Sequence, residues 1–236
     1  MCELIVGKDV DINYNWYICE LNIRNIAMYS SQKNDIIFTV YNDQRTVFTL
    51  NDIAMLVGER DFNSLNRKMH YHVGRGKLLR PRKGIYVKKG YNPEELACKL
   101  YTPSYISLEY ILQEAGVIFQ FDSRITSVSY LSRTVEIEER KFSYRRIKGE
   151  IMVDTSGITR ERNINKATVE RAFLDTLYLN GDFYFDNLTP LDRTLVYKLL
   201  PIYNSKALTA RVNKILNNGL TMTKRRNYTA LSQGYP

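Results

Sequence analysis

A short stretch in the first half of the chain alternates helical and strand-like patterns in an order that few folds share. Thr49-Leu-Asn-Asp52 has the spacing of a capping box and opens an apolar run that Gly58 ends, as glycine commonly does at a helix terminus. A second helical pattern runs from Phe62 to Val73, and two strand-like runs follow, Lys77–Arg80 and Ile85–Val87. Two helices joined by a glycine turn and followed by a hairpin predict a winged helix-turn-helix, in which the second helix enters the major groove.

The second predicted helix has an apolar stripe on one side and a polar, basic face on the other. The stripe consists of five residues at helical spacing: Phe62, Leu65, Met69, His72 and Val73. The opposite face holds Asn63, Ser64, Arg67, Lys68 and Tyr71. Arg67 and Asn63 are predicted to contact base edges, because arginine pairs bidentately with guanine and asparagine with adenine. Phosphate contacts are predicted for Lys68, Arg75, Lys77, Arg82 and Lys83.

Positive charge is concentrated in the same region. Between Arg60 and Lys89 the chain has ten basic residues and one acid, Asp61, so the local surplus equals the net charge of the whole chain, +9. The turn Pro81-Arg-Lys-Gly84 puts two of these cations at the tip of the predicted hairpin. A solvated basic face without a partner is the alternative, but the order of helix, basic helix and basic hairpin favours contact with phosphate.

The composition of the chain argues against several other classes of protein. An apolar fraction of 44% and a charged fraction of 25% are ordinary for a soluble globular chain. No apolar stretch approaches the length of a membrane span, and charged residues near the N terminus interrupt any signal-peptide core. We therefore expect a cytoplasmic protein without membrane contact. The three cysteines, Cys2, Cys19 and Cys98, are far apart, which favours neither a disulfide nor a zinc site.

An enzyme would need a recognisable site, and the candidates are few. His70 and His72, the only histidines, point to different sides of a helix, so we expect no shared metal ion. Glu150 and Asp154 could form a nuclease-like carboxylate pair, but no lysine follows them in the same strand. No glycine-rich phosphate loop, nucleophile elbow or kinase signature is present in the sequence. We therefore expect no catalysis, no metal and no cofactor.

The rest of the chain is predicted to form a mixed domain. Asn92-Pro93-Glu94-Glu95 is a strong helix start, and Ser107–Ala115 is a further helix. Alternating residues from Arg124 to about Thr155 predict three or four antiparallel strands, and a helical pattern returns at Thr168–Leu179. The predicted fold is α+β: an N-terminal extension (1–33), a winged helix-turn-helix (34–90), a mixed domain with a small antiparallel sheet and helices (91–219), and a basic, flexible tail (220–236).

Several segments resemble one known family. Tyr105-Ile-Ser-Leu-Glu-Tyr-Ile-Leu112 follows the predicted hairpin, Ile151-Met-Val153 comes later, and Thr168-Val-Glu-Arg-Ala-Phe-Leu-Asp175 opens the next helix. The last run is similar to the Thr-Pro-Glu-Lys/Arg-Ala-Leu-Leu-Asp motif of the AbiEi antitoxins, which belong to bacterial abortive-infection, or type IV, toxin–antitoxin systems used in phage defence. The resemblance covers roughly residues 34 to 219, with Val169 where the family usually has proline.

The resemblance implies two activities. By this resemblance, the N-terminal domain of the protein would bind the promoter of its own operon and repress transcription. The C-terminal domain would counteract a nucleotidyltransferase-like toxin. The antitoxin motif maps onto Thr168, Glu170, Arg171 and Asp175. From its apolar neighbours we expect Asp175 to bond another helix rather than to take part in chemistry, and we expect Glu170 to be a first-turn acid favoured by the helix dipole.

The predicted partners are double-stranded promoter DNA and a cognate toxin. Direct contact with the toxin and a homodimer on DNA are both left open by the sequence. Two other functions also stay open: an ordinary winged-helix regulator whose C-terminal domain senses a ligand or dimerises, and a nucleic-acid-processing enzyme that uses the winged domain for targeting.

Overall fold

The computed structural model describes residues 35–217, so the predicted N-terminal extension and the predicted basic tail lie outside the described residues. Helices and strands mix along the described chain, which confirms the α+β class. The chain divides into two compact units. The first combines the residues up to Gln44 with Leu50–Leu78, and the second combines Arg45–Thr49 with the chain from Leu79 onwards. The predicted domain boundary near residue 90 stays a prediction.

Three helices of the first unit fall within the described residues: α1 (Ile36–Asn42), α2 (Leu50–Val57) and α3 (Phe62–Gly74). Gly58, with φ at 68°, follows α2 directly, as the sequence predicts. Asp61 begins α3, because its side chain accepts hydrogen bonds from the backbone N–H groups of Asn63 and Ser64 at 2.9 and 3.1 Å. The predicted second helix is thus confirmed to within one residue.

Buried apolar side chains hold these helices together. Leu65 and Met69 of α3 are fully buried, as the apolar stripe predicts. Ile53 of α2 and Val40 of α1 are fully buried as well, and α2 packs against both other helices. Phe62 departs from the predicted stripe, because it lies at the first position of α3 and is 47% exposed.

The second unit begins with a three-stranded antiparallel sheet. Its strands are β1 (Val47–Thr49), β2 (Leu79–Arg82) and β3 (Ile85–Val87), in the spatial order β1-β3-β2. The first strand of the hairpin starts two residues later than predicted, and Pro81 lies inside it. An edge strand tolerates proline because one side of its backbone pairs with no neighbour, and β2 pairs only with β3 across an irregular register. The turn contains Gly84, whose φ is 81°.

A larger sheet of six strands follows α4 (Pro93–Leu100), which Asn92 caps as predicted. The strands are β4 (Ser104–Ile106), β5 (Ile125–Ser129), β6 (Arg133–Ile137), β7 (Arg140–Arg146), β8 (Ile158–Glu161) and β9 (Ile164–Ala167), in the spatial order β6-β7-β5-β4-β9-β8. β5 pairs with β7 and β4 with β9 in parallel, and the other pairs are antiparallel.

The prediction of a small antiparallel sheet was therefore wrong in size and in pairing. The β6–β7 hairpin turns through Glu138 and Glu139, both with positive φ, and β7 then lies parallel to β5 on the far side. Of the three or four strands predicted between Arg124 and about Thr155, three form, and the residues after them form a short helix, α6 (Gly149–Val153). Its β-branched Ile151 is buried on the helix, so tertiary packing overrides the local preference for a strand.

The remaining helices of the described chain complete the second unit: α5 (Glu109–Glu114), α7 (Val169–Leu179), α8 (Arg193–Leu199), a 3₁₀ turn (Leu200–Tyr203) and α9 (residues 206–217). On one face of the large sheet, the Tyr144 hydroxyl donates to the Ala97 carbonyl of α4 at 2.7 Å. On the opposite face, Tyr105 donates to Asp175 of α7 at 3.0 Å. Helices therefore cover both faces. No helix among the described residues is long and apolar enough to cross a bilayer.

Candidate functional site

The predicted base-contacting face lies on the exposed side of α3. Asn63 and Arg67 are exposed, Ser64 is half-buried, and Tyr71 is 57% exposed. Within residues 35–217 the Arg67 side chain has no ion pair and no hydrogen bond. The Arg75 guanidinium lies 5.4 Å from the centre of the Tyr71 ring, which fixes both side chains at the C-terminal end of the helix.

Lys68 lies on the same helix but already has an acidic partner. Its ammonium forms an ion pair with Glu59, with 2.9 Å between Nζ and Oε2. The hydrogen bond from Lys68 lowers the pKa of Glu59, and the backbone N–H of Asp61 acts in the same direction. Lys68 would have to exchange this partner in order to bind a phosphate.

The hairpin of the second unit separates two cations that are adjacent in sequence. The Arg82 guanidinium donates to the Leu100 carbonyl at 3.1 Å and lies 4.6 Å from the centre of the Tyr101 ring. Lys83 is exposed at the turn and, within the described chain, has no such partner. The internal contacts of Arg82 leave Lys83 as the better candidate for a phosphate contact at this turn.

Lys77, the remaining predicted phosphate contact, is exposed just after α3. Its backbone carbonyl accepts a hydrogen bond from the Tyr41 hydroxyl at 2.8 Å, so its main chain is tied to α1 while its ammonium faces solvent. Arg67, Arg75 and Lys77 are the exposed cations at and just beyond α3 that have no acidic partner within the described chain.

His72 lines a cavity of about 440 Å³ behind α3, together with Asp35, Glu59 and Lys68. Its Nδ1 atom is buried and has no hydrogen-bond partner within the described structure. Burial lowers the pKa of His72, Lys77 lowers it further, and Asp35 opposes the change. His70 is exposed on another side of the helix. The described residues contain no cluster of His, Cys, Asp or Glu suited to a metal ion.

The antitoxin-like motif occupies the core of the second unit. Asp175 is fully buried on α7 and accepts three hydrogen bonds from hydroxyl groups: from Tyr203 at 2.6 Å, Ser107 at 2.8 Å and Tyr105 at 3.0 Å. Burial raises the pKa of Asp175, while the Arg171 guanidinium and the hydroxyl donors oppose that rise. Asp175 therefore bonds the 3₁₀ turn, β4 and the residue just after β4, a wider set of partners than the single helix that the sequence predicts.

Arg171 is the charged partner of Asp175 one helical turn earlier. It is fully buried, and its Nε lies 3.6 Å from Oδ1 of Asp175. Its terminal nitrogens donate to the carbonyls of Ile151 at 2.7 Å and Ser156 at 3.0 Å. Burial works to lower the pKa of Arg171, but its interactions with Tyr203 and the other surrounding groups outweigh this, so the pKa lies above its ordinary value. Arg171 therefore ties α7 to α6 and to the loop that follows it.

The other two motif residues hold helix ends. The Thr168 hydroxyl accepts a hydrogen bond from the backbone N–H of Arg171 at 3.3 Å, which caps α7. Glu170, predicted as a first-turn acid, is buried, and its carboxylate accepts a hydrogen bond from the backbone N–H of Asp192 at 3.1 Å. All four motif residues therefore position elements of the fold.

The two carboxylates that could resemble a nuclease pair lie at the two ends of α6. Glu150 is exposed in the first turn of α6, whereas Asp154 accepts a hydrogen bond from the backbone N–H of Ser156 at 2.8 Å. That bond lowers the pKa of Asp154. Both residues thus have ordinary roles at the two ends of a short helix.

Comparison with solved structures finds the crystal structure of the RV2827C protein from Mycobacterium tuberculosis. The two chains are 15% identical, and the match covers 80% of this chain and 77% of that chain with a TM-score of 0.47. No protein-family model and no curated protein matches the sequence. At this level of similarity we infer nothing about function from the neighbour.

Proposed function

We propose that this protein binds duplex DNA through a winged helix-turn-helix made of α1, α2, α3 and the β1-β3-β2 sheet. The elements follow one another as helix, strand, helix, helix, strand and strand, and Gly58 begins the short turn between α2 and α3. The spatial order β1-β3-β2 is the order in which the hairpin of such a domain pairs with the strand before it. In this proposal α3 is the recognition helix and β2–β3 is the wing.

The observation that carries the proposal is the exposed cationic side of α3. Lys68, on the same helix, has an acidic partner, Glu59. Arg67 has none within the described chain, although it lies in the middle of a helix whose opposite side is buried. An unpaired guanidinium on a rigid helix suits bidentate contact with guanine, and the exposed Asn63 one turn earlier suits adenine.

Salt dependence tests the proposal directly. Fluorescence anisotropy would measure affinity for short duplexes tiled across the region upstream of the gene. Arg75, Lys77 and Lys83, the cations assigned to phosphate, together predict a log–log slope of roughly −3, for about three neutralised phosphates. Arg67→Ala should cost about 1–3 kcal/mol on the preferred sequence and relax the preference at one base position. Affinity that does not change with salt, or no binding at low salt, would exclude the DNA-binding function.

We further propose that the protein is a cytoplasmic antitoxin that represses its own operon and neutralises a nucleotidyltransferase-like toxin. The support is the sequence resemblance around Thr168–Asp175. In a growth assay, the full chain should rescue cells that express the toxin encoded beside it, and so should the Arg67→Ala variant if neutralisation does not need DNA. DNA binding without any rescue would favour an ordinary winged-helix regulator, and metal-dependent cleavage of nucleic acid would favour the enzyme.

A further inference from the structure

A basic cavity lies in the second unit, and none of its lining residues is assigned to DNA. Its volume is about 650 Å³, and its lining runs from the end of β7 into α6 and includes one residue of α7: Arg146, Ile147, Lys148, Gly149, Glu150 and Tyr178. Small-molecule sites in proteins have volumes of roughly 300–1,000 Å³. The cavity is therefore large enough for a ligand of nucleotide size.

The two cations of the cavity are directed together by the backbone. Arg146 is the last residue of β7, and Lys148 has extended backbone angles, with φ −62° and ψ 144°. Side chains two residues apart on an extended chain project to the same side. Arg145, the residue before Arg146 in β7, does not line the cavity, and its guanidinium donates to the Asn180 side chain at 3.0 Å.

Neither cation of the cavity is neutralised within the protein. Arg146 and Lys148 are exposed, and in the described chain neither the guanidinium nor the ammonium has a hydrogen bond or an ion pair. By contrast, Lys141 on the same strand has Glu136 at 3.9 Å. Guanidinium groups bind phosphate oxygens bidentately, and an ammonium adds a point charge.

The other walls favour a small ligand over a nucleic-acid strand. The Tyr178 ring packs against the Tyr203 ring with 5.4 Å between centroids, which holds it in place as an aromatic wall. Glu150, exposed at the rim, would repel a continuous phosphodiester backbone but can accept hydrogen bonds from the hydroxyl or amino groups of a nucleoside.

We propose that this cavity binds a polyphosphorylated small molecule of nucleotide size, with its phosphates on Arg146 and Lys148 and its organic part against Tyr178. The inference does not depend on DNA binding, because none of the lining residues belongs to α3 or to the β2–β3 hairpin.

Calorimetric titration of the full chain with inorganic phosphate, pyrophosphate and a nucleoside triphosphate tests the proposal. The triphosphate should bind most tightly. Arg146→Ala and Lys148→Ala should each weaken it by about tenfold or more, the usual loss for one hydrogen bond to a charged group. Both side chains are exposed, so both variants should keep the fold, which circular dichroism would verify.

Lys141→Ala and Arg67→Ala are the matched controls, since each removes one exposed cation elsewhere, and both should leave triphosphate affinity unchanged. The proposal is overturned if no probe binds, or if either control weakens binding as much as Arg146→Ala does. Equal affinity for pyrophosphate and the triphosphate would overturn the claim that the ligand is of nucleotide size. If Arg146→Ala loses duplex DNA binding but keeps triphosphate binding, the proposal that Arg146 binds a small phosphorylated molecule is overturned as well.

Discussion

Asp175 and Arg171 show what a buried ion pair requires at the level of single residues. Burying either charge alone would cost several kcal/mol, and their mutual attraction offsets this only if the remaining hydrogen-bonding positions are filled. Three hydroxyl groups and two backbone carbonyls fill most of them here. Residues from three other stretches of the second unit therefore hold the pair: 105–107, 151–156 and Tyr203. If one partner is removed, the other stays buried without its counter-charge.

We expect Asp175→Ala to lower the free energy of unfolding by about 3–5 kcal/mol, because Arg171 would remain buried without a counter-charge. Urea denaturation followed by circular dichroism measures the change. Asp182→Ala is the matched control, since Asp182 is exposed on the loop after α7, and it should change stability by no more than about 0.5 kcal/mol. Equal effects of the two substitutions would show that the Asp175 network contributes nothing.

Arg82 and Lys83 should behave differently although they are neighbours of equal charge. Lys83→Ala should weaken binding to all duplexes about equally and make the salt slope shallower by about one unit. Arg82→Ala should leave the slope unchanged and instead cost about 1 kcal/mol of stability through the lost contact with Tyr101. Anisotropy titrations and thermal unfolding of both variants separate these effects, and the reverse pattern would contradict the assignment.

At the scale of elements, helix starts could be predicted from the sequence because a few adjacent residues determine each of them. Asn92 accepts a hydrogen bond from the backbone N–H of Glu94, and Thr168 accepts one from the backbone N–H of Arg171, as expected for residues that cap a helix. Such capping needs no information from the rest of the chain, so the sequence alone was sufficient.

Strand pairing and the buried cluster could not be predicted in the same way. β4 has three residues and β8 and β9 four each, too few to show a period, and β9 includes the polar Asn165 and Lys166. The partners of Asp175 are 70, 68 and 28 residues away along the chain, so no local spacing indicates them. The different surroundings of Arg82 and Lys83 likewise depend on Tyr101, which only the fold brings close to Arg82.

Helix α3 should become less stable in acid because of His72. Its pKa in the folded state lies below the ordinary value of 6.5, chiefly through burial, so the folded state binds the proton more weakly than the unfolded chain does. The stability contributed by neutral His72 is therefore complete above about pH 6.5 and is lost as the pH falls through the folded-state value.

Unfolding free energies measured from about pH 7 down to about pH 5 should show this decline, the range in which histidine changes charge. In His72→Gln the decline should be shallower, while His70→Gln, which changes the exposed histidine of the same helix, should retain it. If stability declines equally in the unsubstituted protein and in both variants, titrating groups other than His72 cause the decline.

At the scale of the whole molecule, hydrogen bonds and an apolar core within the second unit link the β1-β3-β2 sheet to α4. The buried carboxylate of Glu95 on α4 accepts hydrogen bonds from the backbone N–H and the hydroxyl of Thr46, just before β1, at 2.8 and 2.6 Å. The Thr46 hydroxyl in turn accepts the N–H of Asn92 at 2.9 Å, and Val47, Ile85 and Val87 share one apolar core with residues of α4. The three-stranded sheet thus depends on a helix that lies beyond the predicted domain boundary.

A fragment that ends at Lys89 should therefore lose the sheet, and with it the contribution of Lys83 to DNA binding. A fragment that ends at Thr102 retains Glu95, Leu100 and Tyr101, and should hold the hairpin more firmly. Limited proteolysis would show cleavage within Leu79–Val87 in the shorter fragment and protection in the longer one, because an unpaired buried group costs about 1–3 kcal/mol and several are lost together. Anisotropy with the same duplexes should find tighter binding for the longer fragment. If the shorter fragment is equally protected and binds equally well, the winged domain folds without α4, and the boundary near residue 90 that the sequence predicts is correct.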